Sequence, residues 1–553
     1  MAVGAINLSC SNVKRSCQCE ANEKTRLVHS KKQLASKRVT TKQHKSHWLQ
    51  ILSTRVKNTV FVIWRGVEIV VVFSPLIILT PTAFIASYTS AIWRRIVDRT
   101  NASSILLTSG YVDDKQYNTT SAYEVEIHNS YNKHETFPSN IAWGYTIFAL
   151  QYLGPSFVKL GQWAATRRDL FPVHFCNRLS ELHSQTNTHD FSHTHKALVE
   201  AFGEDYESRG LIVTKDDTIL GSGSVAQVYK GTLKCSEHKK PVAVKVLHPN
   251  IRVKVERDLA LMQYIAEFID RYIPLQTVKM LSLPRAVKNF ADIMIRQVDL
   301  RIEGDNLQLF RENFGCTSTK SIPTVDFPEP QHHWVSESVL VEDYIGDDAK
   351  PISHYLVDDV VGVKERKALA GTFVKTALKM VFVDNFVHSD LHPGNVFVRE
   401  KRKSSNETKY QITFLDAGIA TSLQQNDKKN LRDLFKAVVL NDGYTAGKLM
   451  VERARFERCT SIPGGKDKFA CGVQELVSEF HDSRKQCGLT LGAVKVGSLL
   501  ARVLDLCRVY QVEIDPAMSS IVISMLVLEG LGRSLDPDLN LITAAIPFLV
   551  GKV

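Results

Sequence analysis

A carboxylate and a carboxamide stand five residues apart in His388-Ser389-Asp390-Leu391-His392-Pro393-Gly394-Asn395, just after the apolar run Met380-Val381-Phe382-Val383. A second carboxylate, Asp416, follows in Phe414-Leu415-Asp416-Ala417-Gly418. Phosphoryl transfer needs an acceptor for the nucleophile's proton and oxygen ligands for Mg²⁺. Asp390 can serve as the acceptor, and Asn395 and Asp416 can supply the ligands. Taken alone, the octet is also compatible with a polar turn on a large domain.

Such groups act only if other elements deliver phosphate to them. Leu220 to Tyr229 reads as a strand, a tight turn and a return strand. Gly221, Ser222, Gly223 and Ser224 form the turn, and Val228 lies on the return strand. Small residues there let backbone N–H groups approach phosphate, although Gly-Ser turns are common in plain hairpins. Next comes Pro241-Val242-Ala243-Val244-Lys245-Val246, an apolar strand with one Lys. An ammonium on such a strand needs phosphate or a carboxylate beside it, and Glu303 is the candidate partner. Val339-Leu340-Val341-Glu342-Asp343-Tyr344 reads as a strand entering a hinge against adenine, which brings Glu342 and Tyr344 to the nucleotide. In this order the parts resemble the protein-kinase signature set, which implies a bilobal fold binding ATP. Two features depart from it. Lys245 and Glu303 are 58 residues apart, so a substantial insertion separates them, and no Ala-Pro-Glu follows Asp416. Without that segment a peptide platform is missing, and a conventional Ser/Thr protein kinase becomes the weakest reading.

Upstream of the loop lies Lys159-Leu160-Gly161-Gln162-Trp163-Ala164-Ala165-Thr166-Arg167-Arg168-Asp169-Leu170-Phe171. On a helix Lys159 and Gln162 share a face, with Thr166 one turn on. Lys-x-Gly-Gln, the small-residue loop, Val-Ala-Val-Lys, a Glu helix, His-x-Asp-x-His-Pro-Gly-Asn and Leu-Asp-Ala-Gly together resemble the UbiB (aarF-domain) atypical kinases, from about Tyr145 to about Asn540. The resemblance implies an α+β, atypical bilobal protein-kinase-like fold, with added N-terminal Lys-x-Gly-Gln helices and a helical C-lobe. It implies that Lys159 and Gln162 fold over the active site and face the nucleotide, and that Lys245 meets phosphates and pairs with Glu303. Asp390 then takes the catalytic-base position, and Asn395 and Asp416 hold Mg²⁺. It also implies a role in coenzyme Q biosynthesis or lipid metabolism, on a small lipid-linked substrate rather than a protein. This chain departs from the family at the glycines of its loop, whose greater backbone freedom suits a more kinase-like phosphate grip. It departs again at Gln297-Val298-Asp299, where members carry Glu-x-Asp. The amide removes one negative charge from the pocket and puts the regulatory role of Gln297 and Asp299 in question.

The charge distribution bears on location. Of the net +11 over 553 residues, +10 falls in residues 1–58, with 12 Lys/Arg against 2 Asp/Glu. A nucleic-acid-binding stripe is therefore a poor reading of the high pI. The leader is Ser-rich, basic and acid-poor, as mitochondrial transit peptides are. Residues Ile69 to Trp93 carry no charge, and these 25 positions exceed the roughly 20 that a spanning helix needs. Pro75 and Pro81 could kink the segment. The ten cysteines are scattered without metal-ligand spacing and read as reduced thiols. The expected organisation is a leader (1–58), a transmembrane segment (59–98), a polar linker (99–140), a Lys-x-Gly-Gln helical extension (141–210), a kinase-like N-lobe with insertion (211–345) and a helical C-lobe with the catalytic loop (346–553). The expected setting is the inner mitochondrial membrane, crossed once, with membrane lipid and coenzyme Q biosynthesis proteins as partners. The leading reading is a Mg²⁺-dependent atypical kinase or ATPase. The alternative is a membrane-tethered pseudokinase scaffold that binds nucleotide without turnover.

Overall fold

The computed structural model of the chain describes residues 63–82 and 137–550, apart from 183–187, 215–218, 236–237, 274–281, 317–323, 357–361, 403–407, 455, 487–495 and 540. The leader, residues 83–98 of the apolar stretch and nearly all of the linker lie outside the described residues. The chain divides into two units, Met1–Val72 and Phe73–Val553. Helix α1 (Ile63–Thr82) has 20 residues with mean hydropathy 1.8, long and apolar enough to cross a membrane, and it stays helical through Pro75 and Pro81.

Gly154, at φ 95°, turns the chain between α2 (Phe137–Leu153) and α3 (Pro155–Thr166). Pro155 opens α3 where its missing N–H is no loss. Helices α4 (Val173–Leu179) and α5 (Phe191–Phe202) follow. The upper sheet contains β1 (Leu211–Ile212), β2 (Ile219–Ser222), β3 (Ala226–Cys235) and β4 (His238–Leu247). It is completed by two later strands, β6 (Pro330–Val335) and β7 (Val339–Asp343), in the order β1-β3-β4-β7-β6 with β2 on β3. All its pairings are antiparallel. Side chains alternate across a strand, so Val242, Val244 and Val246 point one way and Ala243 and Lys245 the other. The valines pack with Leu198, Tyr206, Tyr229, Trp334 and Val341 in a buried core that α5 covers. The opposite face is left for chemistry.

The insertion after β4 consists of α6 (Ile251–Tyr272) and α7 (Leu283–Gln297), packed on each other and both against α3. Helix α8 (Leu300–Asn313) follows and packs on β6 and β7. Strand β5 (Val325–Asp326) belongs to a second sheet with β8 (Lys350–Pro351), β10 (Val396–Arg402) and β11 (Thr408–Phe414), in the order β5-β11-β10-β8. Between these lie α9 (Val363–Lys379) and β9 (Val387–His388), which pairs with β12 (Ala420–Thr421). Phe310 of α8 stacks on Phe327 at 4.9 Å, Phe327 on Phe414 at 5.5 Å, and Phe414 on Phe373 of α9 at 6.0 Å. Each such pair contributes about 0.5–1.5 kcal/mol beyond its buried area. The column ties α8 to the strand that leads into Asp416.

After β12 the chain is helical, as expected: α10 (Gln425–Val439), α11 (Gly443–Arg453), α12 (Gly465–Gln486), α13 (Val496–Tyr510), α14 (Pro516–Leu535) and α15 (Leu541–Val550). Residues Ala517–Leu535 of α14 are also long and apolar enough to span, but half of that window is buried and α14 packs on α9. That is the profile of a core helix.

Candidate nucleotide and metal site

Lys245 Nζ lies 2.8 Å from both carboxylate oxygens of Glu303 and 3.4 Å from Asp416 Oδ1. Strand β4 supplies the lysine and the first turn of α8 supplies the glutamate. Asp299 caps that helix, accepting from Arg301 N at 3.1 Å while its carboxylate pairs with the Arg301 guanidinium at 2.9 and 2.7 Å. The hydrogen bonds from Arg301 hold the Asp299 carboxyl below its ordinary range. Asp299 thus anchors the Glu303 helix.

The octet and the Leu-Asp-Ala-Gly segment are laced together. Buried His388 donates from Nε2 to Leu415 O at 3.0 Å and accepts at Nδ1 from Asp390 N at 3.3 Å, which requires a neutral ring. Burial acts in the same direction, lowering its pKa. Asn395 donates from Nδ2 to Asp390 O at 3.1 Å, and Leu415 N donates to Asn395 O at 2.8 Å. With its nitrogen occupied, the Asn395 amide turns its oxygen the other way. Asp416 sits at φ 52°, a left-handed conformation that Asp and Asn tolerate better than most residues. Gly418 N donates to Asp416 Oδ1 at 3.4 Å, and a Cβ at Gly418 would stand 3.2 Å from that oxygen.

A third carboxyl enters from β7. Glu342 is paired across the sheet with Ala243, on the face that carries Lys245. It is 9% exposed, and its Oε2 is buried without a hydrogen-bond partner. Burial, then repulsion from Glu303, pushes Glu342 up to about 8. Burial also raises Glu303, against the pull of Lys245. For Lys245 burial works downward, but Asp416 and Glu303 outweigh it and keep the ammonium charged. For Asp416 burial works upward, and Lys245 and then Lys159 outweigh it, holding the carboxyl well below its usual range. Three carboxyls facing one ammonium make a field that a divalent cation would relieve.

Raised carboxyls keep protons in the fold that the unfolded chain would release. Their stabilising contribution is therefore complete below the ordinary glutamate value of 4.5 and is lost as pH rises through about 8. Glu342→Met, which removes the orphaned oxygen, is expected to stabilise the protein by about 1–3 kcal/mol at the alkaline end. It should also flatten the fall in denaturant midpoint between about pH 6 and about pH 8. An unchanged slope would place the titration elsewhere.

Several expected contacts take a different form. Gln162 donates to Leu182 O at 3.3 Å, and a Cβ at Gly161 would overlap the Leu182 side chain, so this part of the motif grips the chain after α4. Lys159 is placed to act on Asp416 through its charge. Gln297 Oε1 is buried without a hydrogen-bond partner. Neither Gly221 nor Gly223 has a positive φ. A Cβ would meet nothing within 4 Å at Gly221, and at Gly223 only Ala226 O at 3.8 Å. Ser222 lies at the end of β2, and Ser224 is buried at 3% exposure. Val228 pairs with Lys245 and shares its face. Tyr344 points to a different cluster, with Lys230 Nζ 4.6 Å above its ring and its hydroxyl donating to Asp347 at 2.5 Å. The Arg167–Asp169 ion pair was not anticipated. It is buried, with contacts of 2.7 and 2.5 Å, and Ser519 of α14 donates to Asp169 at 3.4 Å. It fastens the end of α3 to the C-terminal helices, and its only sequence signal was opposite charges two residues apart at a helix end.

The donor set suits Mg²⁺. Among the described residues no cluster of three or more His, Cys, Asp or Glu forms a self-sufficient cage. One carboxylate and one amide oxygen suit an ion that completes its shell with substrate phosphates and water.

The ABC1 atypical kinase-like domain matches residues 181–450, and the UbiB helical domain matches residues 484–540. A mitochondrial ABC1 family protein of Saccharomyces cerevisiae is 35% identical over 452 residues, covering 72% of this chain and 66% of its own length. A mitochondrial ABC1 family protein of Schizosaccharomyces pombe is 32% identical over 468 residues, covering 73% and 64%. A Vibrio vulnificus protein named "Probable protein kinase UbiB" is 31% identical over 405 residues, covering 72% and 69%. The matched part of this chain thus spans a little under two thirds of the two fungal relatives.

Proposed function

Because this chain belongs to the ABC1/UbiB family of atypical kinases, we propose that it is a Mg²⁺-dependent enzyme that transfers the terminal phosphoryl group of ATP to water or to a small lipid-linked acceptor. The observation that carries this reading is Lys245 held between Glu303 and Asp416, with Asn395 and Asp390 tied to the same segment. Lys245 presents its ammonium to phosphate oxygens, and Glu303 keeps it in place. Asn395 and Asp416 would hold Mg²⁺, which neutralises charge on the phosphoryl oxygens when bound. Asp390 takes the proton of the attacking hydroxyl or water. Complete retention of these groups favours catalysis over a nucleotide-binding scaffold. The missing Ala-Pro-Glu segment disfavours a protein acceptor.

The family resemblance directs this activity to coenzyme Q biosynthesis or mitochondrial lipid metabolism. The basic leader and the mitochondrial relatives support a mitochondrial setting. The apolar stretch containing α1 supports a single crossing of the inner membrane. Quinone and lipid profiles of cells lacking the protein, rescued with wild type or Asp390→Asn, test the reading. The variant should fail to restore the wild-type profile. Full rescue would favour the scaffold.

A further inference from the structure

The turn that links β2 to β3 is gripped from outside the nucleotide site by a histidine. His248, just beyond β4, donates from its backbone N to Val225 O at 2.9 Å, and its Nε2 lies 2.8 Å from Gly223 O. A carbonyl can only accept, so His248 Nε2 carries the proton. His248 Nδ1 lies 2.8 Å from His189 Nδ1, and His189 Nε2 lies 2.8 Å from Thr194 Oγ1. With His248 neutral, its Nδ1 accepts from His189 Nδ1. The far end of the chain is anchored in the core. Thr194 Oγ1 is 2.9 Å from the Tyr229 hydroxyl, Gln227 Nε2 donates to that hydroxyl at 2.6 Å, and Gln227 Oε1 accepts from His189 N at 2.9 Å. Thr194 and Gln227 are fully buried, and Tyr229 is 2% exposed.

In a trans peptide the C=O and N–H point in opposite directions. By holding the carbonyls of Gly223 and Val225, His248 turns the amides of Ser224 and Ala226 away from itself. We propose that His248, backed by His189, is a positioning residue for the phosphate loop, setting the peptide orientation with which the loop receives nucleotide phosphates. This rests on the nucleotide-site reading and adds a residue to it. Donating to Gly223 O while accepting at Nδ1 needs a neutral His248 ring, and the surroundings favour neutral rings at both histidines. Burial, then the charges of His248 and His193, push His189 down to about 4 against the pull of Asp190. Burial lowers His248 too, with His193 and Lys254 adding to it, against the hydrogen bond to Gly223.

The test compares the affinities of adenosine and of Mg²⁺ with a non-hydrolysable ATP analogue for the full chain in detergent micelles, by calorimetry. The variants are His248→Leu, His248→Gln and His189→Leu, each checked for an unchanged melting temperature. Wild type should bind the triphosphate far more tightly than adenosine. His248→Leu should shrink that ratio by about tenfold or more, the loss of one or two charge-assisted contacts, with adenosine affinity within about threefold of wild type. His248→Gln restores a donor and should recover most of the ratio, while His189→Leu should show an intermediate loss. An unchanged ratio in a folded His248→Leu, or in a folded His189→Leu if the first does not fold, overturns the proposal and leaves the nucleotide site standing. Failure of wild type to bind the triphosphate overturns both.

Discussion

Asp416→Asn is expected to reduce Mg²⁺-dependent ATP consumption by about 10²–10³-fold, the scale for removing one group that stabilises transition-state charge, while leaving the chain folded. Asn is as suited as Asp to the φ of 52° at this position, and its amide oxygen can keep the hydrogen bond from Gly418. Losing one carboxylate also eases the crowding that raises Glu303 and Glu342. Giving up the ion pair with Lys245 opposes that gain, so activity should fall far more than any change in melting temperature can explain. A parallel fall of both would make Asp416 a structural residue whose loss is felt through unfolding.

Lys245→Met should behave in the opposite way. The ammonium, 15% exposed, is held by two oxygens of a Glu303 side chain that is 4% exposed. Removing one partner of a buried ion pair typically costs about 3–5 kcal/mol. Here it leaves Glu303, Glu342 and Asp416 facing one another without that cation. Their carboxyls then hold protons more firmly in the fold than in the unfolded chain, so the variant retains most stability at low pH and loses it as pH rises. Urea midpoints should differ little from wild type near pH 5 and fall well short of it near pH 8, and triphosphate binding should be lost at both. Glu303→Gln, which keeps a hydrogen bond to the ammonium, should be milder. A pH-independent loss for Lys245→Met would show that the carboxyls do not depend on Lys245.

The groups that carry chemistry were legible because their types and spacings are local. Asp390 and Asn395 lie in one octet, Lys245 interrupts a valine strand, and Asp416 lies between a second apolar strand and the glycine Gly418. The Lys245–Glu303 pair could be named across 58 residues only through the resemblance to the kinase pattern, because an ammonium on an apolar strand calls for phosphate or a carboxylate without saying which. The insertion was legible as a length but not as α6 and α7, because its use as the bed for α3 is a tertiary fact. The orphaned oxygen of Glu342 depends on the register that sets it opposite Ala243, which a hinge motif does not specify. Tyr344 and Gln162 carried the right types at the right spacing, yet their side chains found partners in Asp347 and Leu182. The His189–His248 contact joins residues 59 apart whose sequence neighbours give no sign of pairing.

The proposed chemistry has Asp390, Asn395 and Asp416 act together in Mg²⁺-dependent phosphoryl transfer from ATP. It is tested most directly by phosphate release from ATP by the full chain on liposomes, with and without Mg²⁺, for wild type, Asp390→Asn and Asp416→Asn. Wild type should show Mg²⁺-dependent turnover, with a loss of about 10²-fold or more in each variant. Equal residual turnover in all three would contradict it.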